Sequence, residues 1–147
     1  MKILLSRRVK NNRSFEEIQS AGIDTATESE LWDILHSESD KGIVAYAENV
    51  TDDMLEILAD DSDSFIRTCV ADSEHTPVYL LEQLIHDPVS DVKYHAIRNP
   101  NQPLSVLKEL CQDPDRNTQW HASVAIGRYY ADHPEELQKE LEKAKSV

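Results

Sequence analysis

The sequence predicts an all-α fold of stacked two-helix units, a short α-solenoid closed by capping helices. A pattern recurs three times at a 26-residue period, and glycine is confined to Gly22, Gly42 and Gly127. Apolar residues within each period follow helical spacing rather than strict alternation. Thr51 aligns with Pro77 and Pro103, Leu55 with Leu81 and Leu107, Leu58 with Leu84 and Leu110, and Asp61 with Asp87 and Asp113. Between these landmarks Ile66 matches Val92, Arg67 matches Lys93, and Val70 matches Ala96 and Ala122. At 147 residues the protein has core for one domain.

Residues 1–13 form a basic leader with Lys2, Arg7, Arg8, Lys10 and Arg13 and no acid. It is expected to fold back onto the acidic body or to meet an external anion. Four of its five charges follow the short Ile3, Leu4, Leu5 run instead of preceding a long apolar core. No apolar run approaches the roughly 20 residues of a bilayer span, so an unexported, cytoplasmic protein without membrane association is expected. Residues 14–43 read as an N-terminal cap. Ser14 with Glu17 and Thr27 with Glu30 are capping boxes that start helices bearing Phe15 and Ile18, then Leu31, Ile34 and Leu35.

Residues 44–126 hold the repeats. Thr76-Pro77 predicts an N-cap followed by proline in the first turn, and Leu80, Leu81 and Leu84 give the helix its apolar stripe. Asp87-Pro88 predicts the next start, with Val92, Ala96 and Ile97 inward and Asn99-Pro100 as the stop. Gln102-Pro103 and Asp113-Pro114 repeat these signals. The last segment, through Trp120, Ala122, Val124 and Ala125, reads as a longer helix. Helices this short do not repay nucleation alone, so each unit must bury its apolar face on its neighbours. Residues 127–147 form a C-terminal cap in which Pro134 starts a helix with Leu137 and Leu141 on one face and mostly charged residues on the other.

The cycle of Asp-Pro, a Val/Ile-Arg/Lys pair, Ala, Asn-Pro and Thr-Pro followed by paired leucines resembles the bacterial leucine-rich repeat variant, a relative in shape of HEAT and armadillo repeats. The resemblance covers residues 44–126. It implies a right-handed α/α superhelix without β-strands, in which each unit pairs an α-helix with another short, sometimes 3₁₀, helix. Asp61-Ser62 in place of Asp-Pro, Ser73 in place of Asn, and the extended segment 113–130 depart from the pattern. The family brings no catalytic residue to these positions.

Charge narrows the function classes. The protein has 28 acidic and 15 basic residues, a formal net charge of −13. Beyond the leader, ten basic residues face 28 acidic ones, a net −18 that repels nucleic-acid phosphates and attracts cationic partners. A nucleic-acid-binding protein of HEAT type is one alternative, but Arg67, Lys93, Arg98 and Arg116 are few and set among acids. An immunity-like or antitoxin-like acidic inhibitor of a cationic effector is another.

No catalytic grammar is present: neither H-E-x-x-H, G-x-S-x-G, P-loop nor dinucleotide fingerprint, and too few glycines for a phosphate cradle. A non-enzymatic protein needing no cofactor is expected. Cys69 and Cys111 read as small buried hydrophobes in a reducing compartment. Cys69, His95 and His121 share one phase, but equivalent residues of adjacent units lie about 8–10 Å apart, too far to share a metal ion at roughly 2 Å. The other histidines, His36, His75, His86 and His133, fall near element ends.

Thr68, Tyr94 and Trp120 form a stripe that grows aromatic along the repeat, and Tyr46, Asp72 and Arg98 occupy another phase. A protein or peptide partner, possibly basic, is expected on the repeat face, with Tyr46, Tyr94, Arg98 and Trp120 as anchors and Asp52, Asp53 and Glu56 as steering charge. Two capped ends and a high net charge predict a monomer.

Overall fold

Most residues 26 apart between α3 and α7 fold alike, and several helix boundaries trace to a side chain that competes for the backbone. The computed structural model describes residues 12–37 and 40–146. Its α-helices are α1 (Phe15–Ala21), α2 (Glu28–Leu35), α3 (Asp52–Ala59), α4 (Ser64–Asp72), α5 (Val78–Leu84), α6 (Ser90–Arg98), α7 (Leu104–Leu110), α8 (Arg116–Asp132) and α9 (Pro134–Lys145). Two 3₁₀ segments, Ile23–Thr25 and Lys41–Tyr46, complete an all-helical fold with no strand among the described residues.

Asp61, Asp87 and Asp113 make the same turn before α4, α6 and α8. Each carboxylate accepts the backbone N–H two residues on, at 2.8, 2.9 and 2.8 Å. This moves the helix starts later than the Asp-Pro signal predicts: α6 begins at Ser90, because Asp87 is engaged by the Val89 amide rather than capping the helix. Thr76 is not an N-cap either. Pro77 occupies that position, and the buried Thr76 hydroxyl donates back to the Val70 carbonyl at the end of α4. Gln102 repeats the contact one period later, its Nε2 donating to the Ala96 carbonyl at 3.0 Å. Both side chains satisfy C-terminal carbonyls that a helix leaves without partners.

The Lys41–Tyr46 segment, α4, α6 and α8 pack side by side in sequence order, with α3, α5 and α7 paired to them. The cap boundary drawn after residue 43 falls inside the Lys41–Tyr46 segment. Leu55, Leu58, Leu81, Leu84, Val70, Val92, Ala96 and Ile97 form a continuous core with at most 1% exposure. Gly42 lies so close to this core that a Cβ there would stand 2.9 Å from the Cys69 sulfur, a distance real contacts do not allow.

Two polar series tie successive units. The Ser73 hydroxyl donates to the Ala45 carbonyl, and one period later the buried Asn99 Nδ2 donates to the Ala71 and Ser73 carbonyls, both at 2.8 Å. Lys41 pairs with Asp61 at 2.7 Å, and Arg67 pairs with Asp87 through Nε at 2.8 Å and Nη2 at 3.1 Å. Burial opposes ionisation of Asp87, but Arg67 and the Val89 amide still hold its carboxyl below the ordinary range.

At the next period Ala125-Ile126 stands where Asn99-Pro100 ended α6, so α8 runs on for 17 residues. It then carries α9. Leu137 and Leu141 do not face the array as the cap reading expects: they are 38% and 50% exposed, and no residue of α9 is buried. Polar contacts hold α9 instead, from Tyr129 to Glu136, Tyr130 to Glu140 and Lys108 to Glu140. Cys111 is also not inside a helix. It is the half-buried C-cap of α7, while Cys69 is buried as expected.

At the N-terminal end both capping boxes form as read. Arg13 folds back onto the body, its Nη2 2.9 Å from the buried Glu30 carboxylate and its Nε and backbone N–H donating to the other oxygen. Lys2, Arg7, Arg8 and Lys10 lie outside the described residues.

Candidate functional site

The longer α8 overhangs the end of α6, and this mismatch opens a cleft of about 450 Å³ between α4, α6 and α8. Asp72 comes from α4, while Asp91, Tyr94, His95 and Arg98 come from α6, whose stop at Asn99-Pro100 closes the floor. His121 and Arg128 come from α8. Arg128 exists as a wall residue only because α8 continues, and its Nη1 donates to the Arg98 carbonyl at 3.5 Å, a cation set against the negative end of α6.

The cleft has an ordered aromatic side. Tyr94 and His121 stack with centroids 4.1 Å apart and planes 17° from parallel, and Trp120 meets His121 edge-on at 4.8 Å. Tyr94 is half-buried against the core, whereas Trp120 is 59% exposed. The His121 Nδ1 is buried without a hydrogen-bond partner. Burial, followed by the nearby Arg98 and His95, pushes the His121 pKa below its ordinary value, so the ring is neutral at pH 7.

Acidic and basic side chains both line the cleft. Asp72 accepts from Tyr46 at 3.2 Å and lies 3.3 Å from the His95 Nδ1. Burial, reinforced by the neighbouring Asp72 carboxylate, pushes the Tyr46 phenol up, so the ring stays a neutral donor. Asp91 stands in the first turn of α6 and Arg98 at its last residue, seven positions or about 10 Å along the axis. Neither Arg98 nor Arg128 has a carboxylate within 4.0 Å among the described residues, in contrast to Arg13 and Arg67.

Of the residues singled out from sequence, Tyr94 and Arg98 line the cleft, Tyr46 joins it through Asp72, and Trp120 joins it through His121. Asp52, Asp53 and Glu56 are placed elsewhere. They lie exposed on α3 around the Tyr79 phenol, which donates to Glu56 at 2.6 Å and is pushed up to about 12 by that bond and by the surrounding acids. The aromatic anchors and the acidic ridge therefore belong to different helix rows.

Cys69, His95 and His121 do not converge: one is buried beside Gly42, one pairs with Asp72 and one stacks on Tyr94. Among the described residues no group of three or more His, Cys, Asp or Glu side chains is arranged to hold a metal ion. No described helix is long and apolar enough to cross a membrane.

Sequence reasoning missed Arg128 as a site residue because it lies beyond the last repeat match. The signal was the loss of Asn-Pro at positions 125 and 126, which lengthens one helix and lets a residue past the repeat face its neighbour. Lys41 was missed as a partner of the series although it stands 26 residues before Arg67. No protein-family model, curated protein or solved structure matches the sequence or the fold.

Proposed function

We propose that this protein is a non-enzymatic interaction module that binds a protein or peptide segment in the cleft between α4, α6 and α8. The observation that carries this reading is the exposed Trp120, ordered against the Tyr94 and His121 stack beside two arginines that have no carboxylate partner among the described residues. An indole 59% exposed yet fixed by an aromatic neighbour is the kind of amphipathic anchor that interfaces use. The cleft joins aromatic faces to both acidic and basic side chains, which suits a peptide segment of mixed side chains.

The architecture that supports this function is a short right-handed α/α solenoid of the leucine-rich repeat variant type. Support comes from the 26-residue period of the turns, the side-by-side row of Lys41–Tyr46, α4, α6 and α8, and the 3₁₀ geometry of the first of these. We place the protein in the cytoplasm as a monomer. The acidic ridge of Asp52, Asp53 and Glu56 attracts the basic parts of a partner at long range.

Affinity capture from native cells with the full-length protein and with a Tyr94→Ala, Trp120→Ala double variant tests this reading. Calorimetry on any recovered partner should show at least tenfold weaker binding to the double variant. Undiminished binding removes the cleft as the interface.

A further inference from the structure

We infer that the occupant of the cleft is anchored by a carboxylate held between Arg98 and Arg128. This rests on the peptide-binding reading above and adds the chemistry of the ligand. In a protein with 28 acidic residues, Arg13 is neutralised by Glu30 and Arg67 by Asp87, while Arg98, Arg116 and Arg128 have no carboxylate within 4.0 Å among the described residues. Of these three, only Arg98 and Arg128 line the cleft, the Arg128 guanidinium set against the Arg98 carbonyl. A guanidinium presents five N–H donors in a planar fork, and only one N–H of Arg128 is committed to the protein. Two such forks on adjacent helices match a planar carboxylate approached from both sides.

Two acids also line the cleft. Asp91 stands seven positions before Arg98 in α6, while Asp72 ends α4 as Arg98 ends α6 and is already engaged by Tyr46 and His95, and the whole molecule is at −13. The stacked Tyr94 and His121 rings and the exposed Trp120 lie beside the arginines, so an aromatic or aliphatic side chain next to the carboxylate completes the fit. An Asp or Glu side chain and a free peptide C-terminus supply the same group.

The test uses the full-length protein against two displayed random peptide libraries, one with free C-termini and one with the random segment held internally. Chosen peptides are then synthesised with the carboxylate intact or converted to the amide. Selected sequences should share an acid next to an apolar residue in the internal library, or a free terminus in the other, which separates the two sources. Amidation should weaken binding at least tenfold, as should Arg98→Gln and Arg128→Gln, and amidation should have little further effect on the double glutamine variant.

The amidated peptide probes the contact on unaltered protein, so a variant that fails to fold does not hide the answer. Peptides that need Tyr94 and Trp120 but ignore both amidation and the glutamine changes overturn the carboxylate anchor while leaving the peptide-binding reading intact. Libraries that yield no peptide dependent on Tyr94 and Trp120 overturn both.

Discussion

Single side chains decide how strongly neighbouring units hold together. Asn99 is 4% exposed and donates to two carbonyls of the preceding unit, which lose this partner once the amide is removed. Asn99→Ala should therefore lower stability by about 2 kcal/mol, read as a shift in urea midpoint at unchanged slope. Glu30 offers a pH test. The Arg13 guanidinium, helped by the Thr27 and Arg13 amides, overcomes burial and holds its carboxyl down at about 2. A depressed carboxylate binds fewer protons folded than unfolded, so its stabilisation is full above its ordinary value of 4.5 and is lost as pH falls toward about 2. Glu30→Gln should flatten the stability profile between those limits and leave the shape at neutral pH unchanged. His121 acts in the same direction at higher pH: its lowered pKa means that stability declines as pH falls below the ordinary histidine range.

At the scale of helices, the repeat period made the paired rows and most of their inward positions legible, since Leu81, Leu84, Val92 and Ile97 are buried as their spacing requires. Helix starts were less legible. Asp87-Pro88 looks like a cap in sequence, but the Asp87 carboxylate is held by Arg67 from the preceding unit, a partner 20 residues away that local pattern does not reveal. The same limit applies to the site. Tyr94 and Arg98 follow from phase, whereas Arg128 depends on a helix that outruns the repeat. Ile126→Pro should restore the stop that Pro100 provides in α6, shorten α8 and remove Arg128 from the wall. Circular dichroism should show lost helix, and stability should fall by about 3 kcal/mol or more. A variant that keeps full helical signal would show that the length of α8 does not depend on this position.

Across the whole molecule, net charge and capped ends govern self-association. A body at −13 resists close approach of a second copy, and the two exposed leucines of α9, Leu137 and Leu141, are set among charged residues. Light scattering should give a monomer at both 0.1 M and 1 M salt, on either side of the range over which a Debye length shrinks from about 10 to 3 Å. A dimer that survives high salt would point to an apolar face such as Trp120 with Tyr94, and would compete with the proposed ligand.

The missing rung at Ala125 also gives the array a mechanical polarity. Ser73 and Asn99 clamp their units to the preceding carbonyls, but among the described residues nothing equivalent joins α8 to α6, where a ring stack and one long Arg128 contact do that work. Tension applied to the two ends of the protein should therefore peel α7, α8 and α9 away first. Optical-tweezer traces should begin with a low-force step that releases roughly 150 Å of contour, the length of residues 104–146 fully extended. Giving position 125 an asparagine should raise the force of that step, turning a fold that frays from one end into one that yields as a unit.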